Sequence, residues 1–167
     1  MDKKNAWRRL ADAASVAVAE AVEELYGLYD SELAAWFASL YDARVGGFYY
    51  SESARDNDRV TFQDKEYDLL PDIESTLQAL GFVKTSGIAE GYSNPYREFL
   101  PEWMQKRTLA FAMSLEDPDG YFYHPQWGKN ISVSRRGRDL GSGRGVIGFL
   151  SYHTYIVLRR WHARGND

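Results

Sequence analysis

The residues best suited to chemistry in this chain are crowded into two aromatic strips. Phe48-Tyr49-Tyr50 is the shorter, and Tyr121-Phe122-Tyr123-His124-Pro125-Gln126-Trp127-Gly128-Lys129 is the longer. An aromatic face offers a flat, slightly negative surface to sugar C–H groups or to a cation, while tyrosine hydroxyls and the tryptophan N–H supply hydrogen bonds. Beside Arg55, Asp56, Lys129 and Arg136, the strips suit a hydroxylated ligand better than a bare hydrocarbon. Tyr50, Tyr123, Trp127, Lys129 and Arg136 are the expected ligand contacts. The plainer reading, which carries more weight, is that these aromatics plug the ends of helical hairpins.

His124 is the best single acid/base candidate, because imidazole titrates near neutrality and the residue lies inside the longer strip. Asp42 and Asp117 occupy equivalent places after two similar segments and resemble a glycosidase carboxylate pair, in which spacing decides the role of each acid. Their position directly after a helix, with Pro118 and Gly120 beside the second, favours turn formation instead. His153 and His162 lack the close spacing of a metal pair, so no metal is expected. Gly143-Arg144-Gly145-Val146-Ile147-Gly148 matches the dinucleotide fingerprint formally. That fingerprint needs a buried strand ahead of it, and Ile131 to Ser134 is too short and polar, so no nucleotide or other cofactor is expected.

The 167 residues carry a net charge of -4, with 44% hydrophobic and 26% charged residues. This is the composition of one folded domain with a core. An acidic balance gives no reason to bind nucleic acid, and the Arg135, Arg136, Arg138 cluster is too small to change that. Cysteine is absent, which removes disulfides, thiolate nucleophiles and sulfur-ligated zinc together. Lys3, Lys4, Arg8 and Arg9 precede an Ala/Val-rich stretch that mimics a secretion signal, but Asp12 and Glu20 interrupt it. No apolar run reaches the length of a membrane span, so a cytoplasmic protein is expected.

These candidates must be held by helices. Apolar residues at Trp7, Leu10, Ala14, Val18, Val22 and Leu25 predict one helix, with a break at Gly27. Asp30 or Ser31 caps a second helix through Leu33, Trp36, Phe37 and Leu40, which stops before Gly46-Gly47. Phe48 to Tyr67 reads as a long surface loop with a short extended patch at Phe48 to Tyr50. A third helix has Pro71 in its first turn, a stripe of Ile73, Leu77 and Leu80, and a stop at Gly81. Lys84 to Pro95 reads as connection. A fourth helix begins near Pro101, carries Trp103, Met104, Leu109, Phe111 and Leu115, and ends before Asp117-Pro118-Asp119-Gly120. The period of Tyr155 to Trp161 leaves helix and strand open.

The second and fourth helices share more than a period. Ala35-Trp36-Phe37-Ala38-Ser39-Leu40-Tyr41-Asp42 aligns with Ala110-Phe111-Ala112-Met113-Ser114-Leu115-Glu116-Asp117, and Gly47-Phe48-Tyr49-Tyr50 with Gly120-Tyr121-Phe122-Tyr123. Further on, Asp72-Ile73-Glu74-Ser75 and Ala79-Leu80-Gly81-Phe82 meet Asp139-Leu140-Gly141-Ser142 and Val146-Ile147-Gly148-Phe149. Ordered blocks of this kind indicate two repeats, about 28–82 and 100–149, in a single domain. The unit Ser39-Leu40-Tyr41-Asp42, Gly46-Gly47-Phe48, then Asp72 and Thr76 before Leu80-Gly81 resembles the repeat of the squalene cyclase and protein prenyltransferase β-subunit superfamily.

The resemblance implies an all-α fold: tandem helical hairpins of an incomplete α/α toroid, with long aromatic-rich loops. It also marks departures. Family cyclases place Gln where this chain has Tyr41 and Glu116, and Trp where it has Phe48 and Tyr121. The nearest string to the acid motif is Asp56-Asn57-Asp58-Arg59, and the family's zinc set lacks its cysteine. A closed toroid takes about five to seven hairpins, so missing repeats or self-association would have to complete the core. Gly141, Gly143 and Gly145 lead us to expect a weak last helix. The function expected is a partial toroid binding or acting on a carbohydrate or other polar small molecule at an aromatic rim. Its rivals are a cyclase or prenyltransferase relative without the usual motifs, and a noncatalytic helical scaffold.

Overall fold

Capping residues divide this chain as much as its apolar stripes do. The computed structural model describes residues 3–27, 31–57, 59–62 and 64–151. The single first helix expected from the stripe is two, α1 (Lys3–Ala13) and α2 (Val16–Gly27). Between them the Ser15 hydroxyl accepts a hydrogen bond from the Val18 N–H at 3.2 Å, an N-cap that an apolar stripe conceals. Helix α3 (Ser31–Ser39) follows the expected course, and Asp30, the other candidate cap, lies outside the described residues.

After α3 comes a tight hairpin, β1 (Tyr41–Asp42) paired with β2 (Gly47–Phe48). The expected long loop beyond it is mostly ordered structure. It holds α4 (Glu52–Asp56), capped by Ser51, and a second antiparallel hairpin of β3 (Arg59–Phe62) and β4 (Lys65–Asp68). Charged residues at both ends of its register hid this hairpin, whose outer pair is ionic: Arg59 lies opposite Asp68 at 3.6 Å and also meets Glu66 at 3.2 Å. The protein is therefore mainly helical but not all-α, with two small antiparallel sheets among the described residues.

Helix α5 (Ile73–Thr85) begins two residues after Pro71, because Asp72 takes the N-cap position and its carboxylate accepts from the Ser75 N–H at 2.8 Å. Nor does it stop at Gly81. Leu80 and Val83 are buried on either side of that glycine, and their burial outweighs the roughly 1 kcal/mol that a helical glycine costs. A π-helical turn (Pro95–Phe99) lies in the expected connection, held by the Asn94 side chain. Helix α6 (Glu102–Ser114) runs as expected, and α7 (Val133–Leu150) completes the set.

The core lies where α5, α6 and α7 meet. Ile73, Leu80, Phe111, Ala112, Val146 and Ile147 are buried there around Phe122, and Tyr96 of the π turn stacks on Phe149 at 4.6 Å. Despite its glycines α7 is regular, the longest helix described, with 18 residues. Two of its glycines allow close packing: a Cβ at Gly143 would overlap the Phe122 ring, and one at Gly145 would lie 2.7 Å from the Leu77 side chain. No helix among the described residues is long and apolar enough to cross a membrane.

The two segments after α3 and α6 close alike. Tyr49 N–H donates to Leu40 C=O and Tyr123 N–H to Leu115 C=O, both at 2.9 Å. Gly46 and Gly120 share the left-handed conformation, with φ of 94° and 82°. The spatial match thus sets Gly46 against Gly120, Phe48 against Phe122 and Tyr49 against Tyr123, one residue from the alignment read in sequence. Asp139 also differs from its aligned partner Asp72: it lies inside α7, whose N-cap is Ser132. The site of closest packing yields a test. Gly143→Ala is expected to destabilise by about 1–3 kcal/mol through overpacking. Gly141→Ala, whose Cβ would meet nothing within 4 Å, is expected to be neutral or stabilising by up to about 1 kcal/mol. Urea unfolding of both variants checks this, and equal losses would contradict the packing described.

Candidate ligand-binding site

The N-terminus of α5, the loop His124–Trp127 and the first turn of α7 converge on a cleft of about 340 Å³. One wall carries Tyr50, Asp72, Ser75 and Gln78, and the other carries Gln126, Trp127 and Arg135. Each wall has a local cause. Asp72 is turned inward by capping α5, where Ser75 donates its N–H at 2.8 Å and its hydroxyl at 2.6 Å. The loop is wound by the His124 carbonyl, which accepts from Trp127 N–H at 3.1 Å and Gly128 N–H at 2.9 Å. Arg135 follows the Ser132 cap, so the first turn of α7 delivers its guanidinium over the Trp127 ring at 4.8 Å.

Of the expected site residues, Tyr50 and Trp127 line this cleft. Tyr123, Lys129 and Arg136 do not; they gather on a separate face with Asp117 and Asp119. Lys129 pairs with Asp117 at 2.6 Å and lies 5.3 Å from the Tyr123 ring, whose hydroxyl donates to Asp119 at 2.8 Å. Arg136 sits over Tyr121 at 5.5 Å. Asp42 and Asp117 are not brought together as a catalytic pair. Asp42 accepts backbone N–H groups from Arg44 at 2.8 Å and Val45 at 3.2 Å. Burial alone would raise its carboxyl, but these bonds and that of the Arg44 side chain hold it below the usual carboxylate range. It is a turn residue.

His124 is 2% exposed and takes a structural part. Its Nε2 accepts the Ile73 N–H at 3.2 Å, which satisfies one of the free donors at the start of α5. Burial pushes its pKa down to about 4, with Arg135 acting in the same direction and Asp72 against it. The ring is neutral at pH 7, and its proton must sit on Nδ1. In this arrangement the lone pair that would accept a proton is held by the backbone.

The residues that sequence reasoning passed over are the polar ones behind and beside the cleft. Asp139 is 1% exposed, and its carboxyl is raised by burial while Arg135 opposes that shift. Its Oδ2 lies 3.5 Å from Arg135 Nε, an ion pair without a hydrogen bond. His124 Nδ1, Gln126 Oε1, Trp127 Nε1, Arg135 Nε and Asp139 Oδ2 are all buried and lack hydrogen-bond partners. Asp72, Glu74, Gln78 and Arg135 sit on helices at spacings that look like ordinary solvated faces. No group of three or more carboxylates and imidazoles among the described residues is arranged to hold a metal.

The His124 cap makes acid sensitivity readable. The unfolded histidine takes up its proton near pH 6.5 and the folded one only near 4, so stability falls as pH drops through that window. The ceiling from this group is about 3 kcal/mol. Asp139, raised in the fold, works the other way as its carboxyl protonates. His124→Gln keeps an acceptor for Ile73 and cannot titrate, so it is expected to lose less stability than the wild type between pH 6.5 and 4.5. Chemical denaturation across that range checks it, and parallel profiles would remove His124 from the account. Comparison with family models, curated proteins and solved structures gives no match for the chain.

Proposed function

We propose that this protein binds a hydroxylated small molecule, a carbohydrate or similar polyol, in the cleft between Tyr50 and Trp127. The observation that carries this reading is that two consecutive residues lining the cleft each hold a buried group without a hydrogen-bond partner: Trp127 Nε1, a donor, and Gln126 Oε1, an acceptor. Alcohol groups can accept from a donor of the first kind and donate to an acceptor of the second, which neither a hydrocarbon nor a simple anion does for both. Leaving such groups unpaired costs about 1–3 kcal/mol each, so a ligand that satisfies both gains that much.

Tyr50 supplies the open aromatic face. It is 76% exposed at the cleft, whereas the Trp127 ring is already flanked by Arg135 and by Tyr67 at 5.1 Å. The cleft has no positive excess, since Asp72 and Glu74 face Arg135 and Asp139 stands behind it. Neutral ligands are favoured over anionic ones on that ground. The same charges weigh against an isoprenoid, whose tail would desolvate them. The acid string that a cyclase reading would use supports it poorly, because Asp56 is held by Arg55 at 2.6 Å.

We further read the chain as neighbouring hairpin units of an α/α toroid. What supports this is that α3 and α6 each lead through a similarly closed turn to a helix, and that α5 and α7 pack on one another. Calorimetric titration with a panel of oligosaccharides tests the binding proposal. At least one is expected to bind, with Tyr50→Ala weakening it about tenfold and Lys129→Ala leaving it unchanged. No heat from any member of the panel, or equal effects of both substitutions, would sink the proposal.

A further inference from the structure

A second cavity, of about 230 Å³, adjoins the cleft and shares Tyr50, Ser75 and Gln78 with it. Its character is opposite. Leu40, Phe48 and Ala79 form a buried floor, Phe37 and Phe82 stack on each other at 4.3 Å along one side, and Trp36 stands at the edge, 44% exposed. No charged residue lines it. At that volume it is smaller than the roughly 300–1,000 Å³ of an independent ligand pocket, so it serves better as an annex than as a separate site.

Resting on the reading of the cleft as a carbohydrate site, we infer that the ligand is a glycoside with an apolar aryl aglycone. The sugar hydroxyls lie against Gln126 and Trp127, and the aglycone lies in the aromatic cavity between Trp36 and Phe82. Tyr50 stands at the junction, on the wall of both spaces, where the glycosidic bond would cross. Shared walls favour this occupant: Tyr50, Ser75 and Gln78 border both spaces, so the two halves of one ligand would lie side by side across them. An apolar arm there exchanges water for aromatic contact, while a sugar alone leaves Trp36 and Phe82 as they are.

Matched methyl and phenyl glycosides of glucose, galactose, mannose and xylose, titrated calorimetrically into the full chain, test the inference. For the sugar that binds, the phenyl glycoside is expected to bind at least about tenfold more tightly than the methyl glycoside. Trp36→Ala, a change at an exposed rim position outside the polar cleft, is expected to erase that advantage and leave the methyl glycoside affinity unchanged. Equal affinities for the two glycosides would overturn the inference while leaving the carbohydrate reading in place. Binding of phenol without any glycoside would overturn both. Sedimentation analysis covers a further occupant: a wild-type dimer that Trp36→Ala converts to monomer would assign the cavity to a second copy of the chain and overturn the inference.

Discussion

Phe122 has no exposed surface, and the space it fills exists because α7 has no Cβ at position 143. That contact brings helix and turn closer than any larger residue would allow, and much of the site follows from it. With Phe122 pinned, His124 reaches the start of α5 and accepts the Ile73 N–H. The carbonyl of the same histidine then winds the chain so that Trp127 comes under Arg135. One close approach therefore sets the position of a turn, the cap of a helix and both walls of a cleft. A glycine that costs helix propensity is retained in the longest helix because it admits a whole aromatic ring to the core.

The polar groups behind the cleft raise a different energetic question. Buried donors and acceptors are ordinarily paired, since each unpaired one forfeits its hydration. Here, besides Tyr96 and Arg136, atoms of His124, Gln126, Trp127, Arg135 and Asp139 lack hydrogen-bond partners, and Gln126, Trp127 and Arg135 among them line the cleft. Where local pairing rules are broken in this way, the remainder of the core has to compensate. The core of α5, α6 and α7 is able to do so: Ile73, Ala112, Val146 and Ile147 are completely buried in it.

The two turns show how alike sequences diverge in use. Asp42 directs its carboxylate into its own turn, while Asp117 reaches Lys129 on the surface. The Gly46-Gly47 doublet explains the shift of one residue between sequence and spatial alignment. Either glycine can be set against Gly120 by eye, but only Gly46 has the left-handed backbone that Gly120 also adopts. At Gly46 a Cβ would lie 2.5 Å from the Arg107 carbonyl oxygen, so the turn is constrained by α6 as well as by its own conformation.

Helices with an apolar stripe and a polar cap were legible from the chain alone, as α3 and α6 demonstrate, because their period and their caps are local properties. So was the turn at Asp117 to Gly120, where the Gly120 N–H donates to the Asp117 carbonyl at 2.8 Å. The division of α1 from α2 was legible only by giving Ser15 its due as a cap, and the β3–β4 hairpin was hidden because its outer pair is ionic rather than apolar. What tertiary structure alone decided is which polar groups meet: His124 against Ile73, Arg135 against Trp127 and Asp139, and Lys129 away from the cleft altogether. The reason is physical. A sequence states which side chains can bond, but the burial that turns a histidine into a neutral cap, or separates two aspartates into different turns, arises only when distant elements exclude water together.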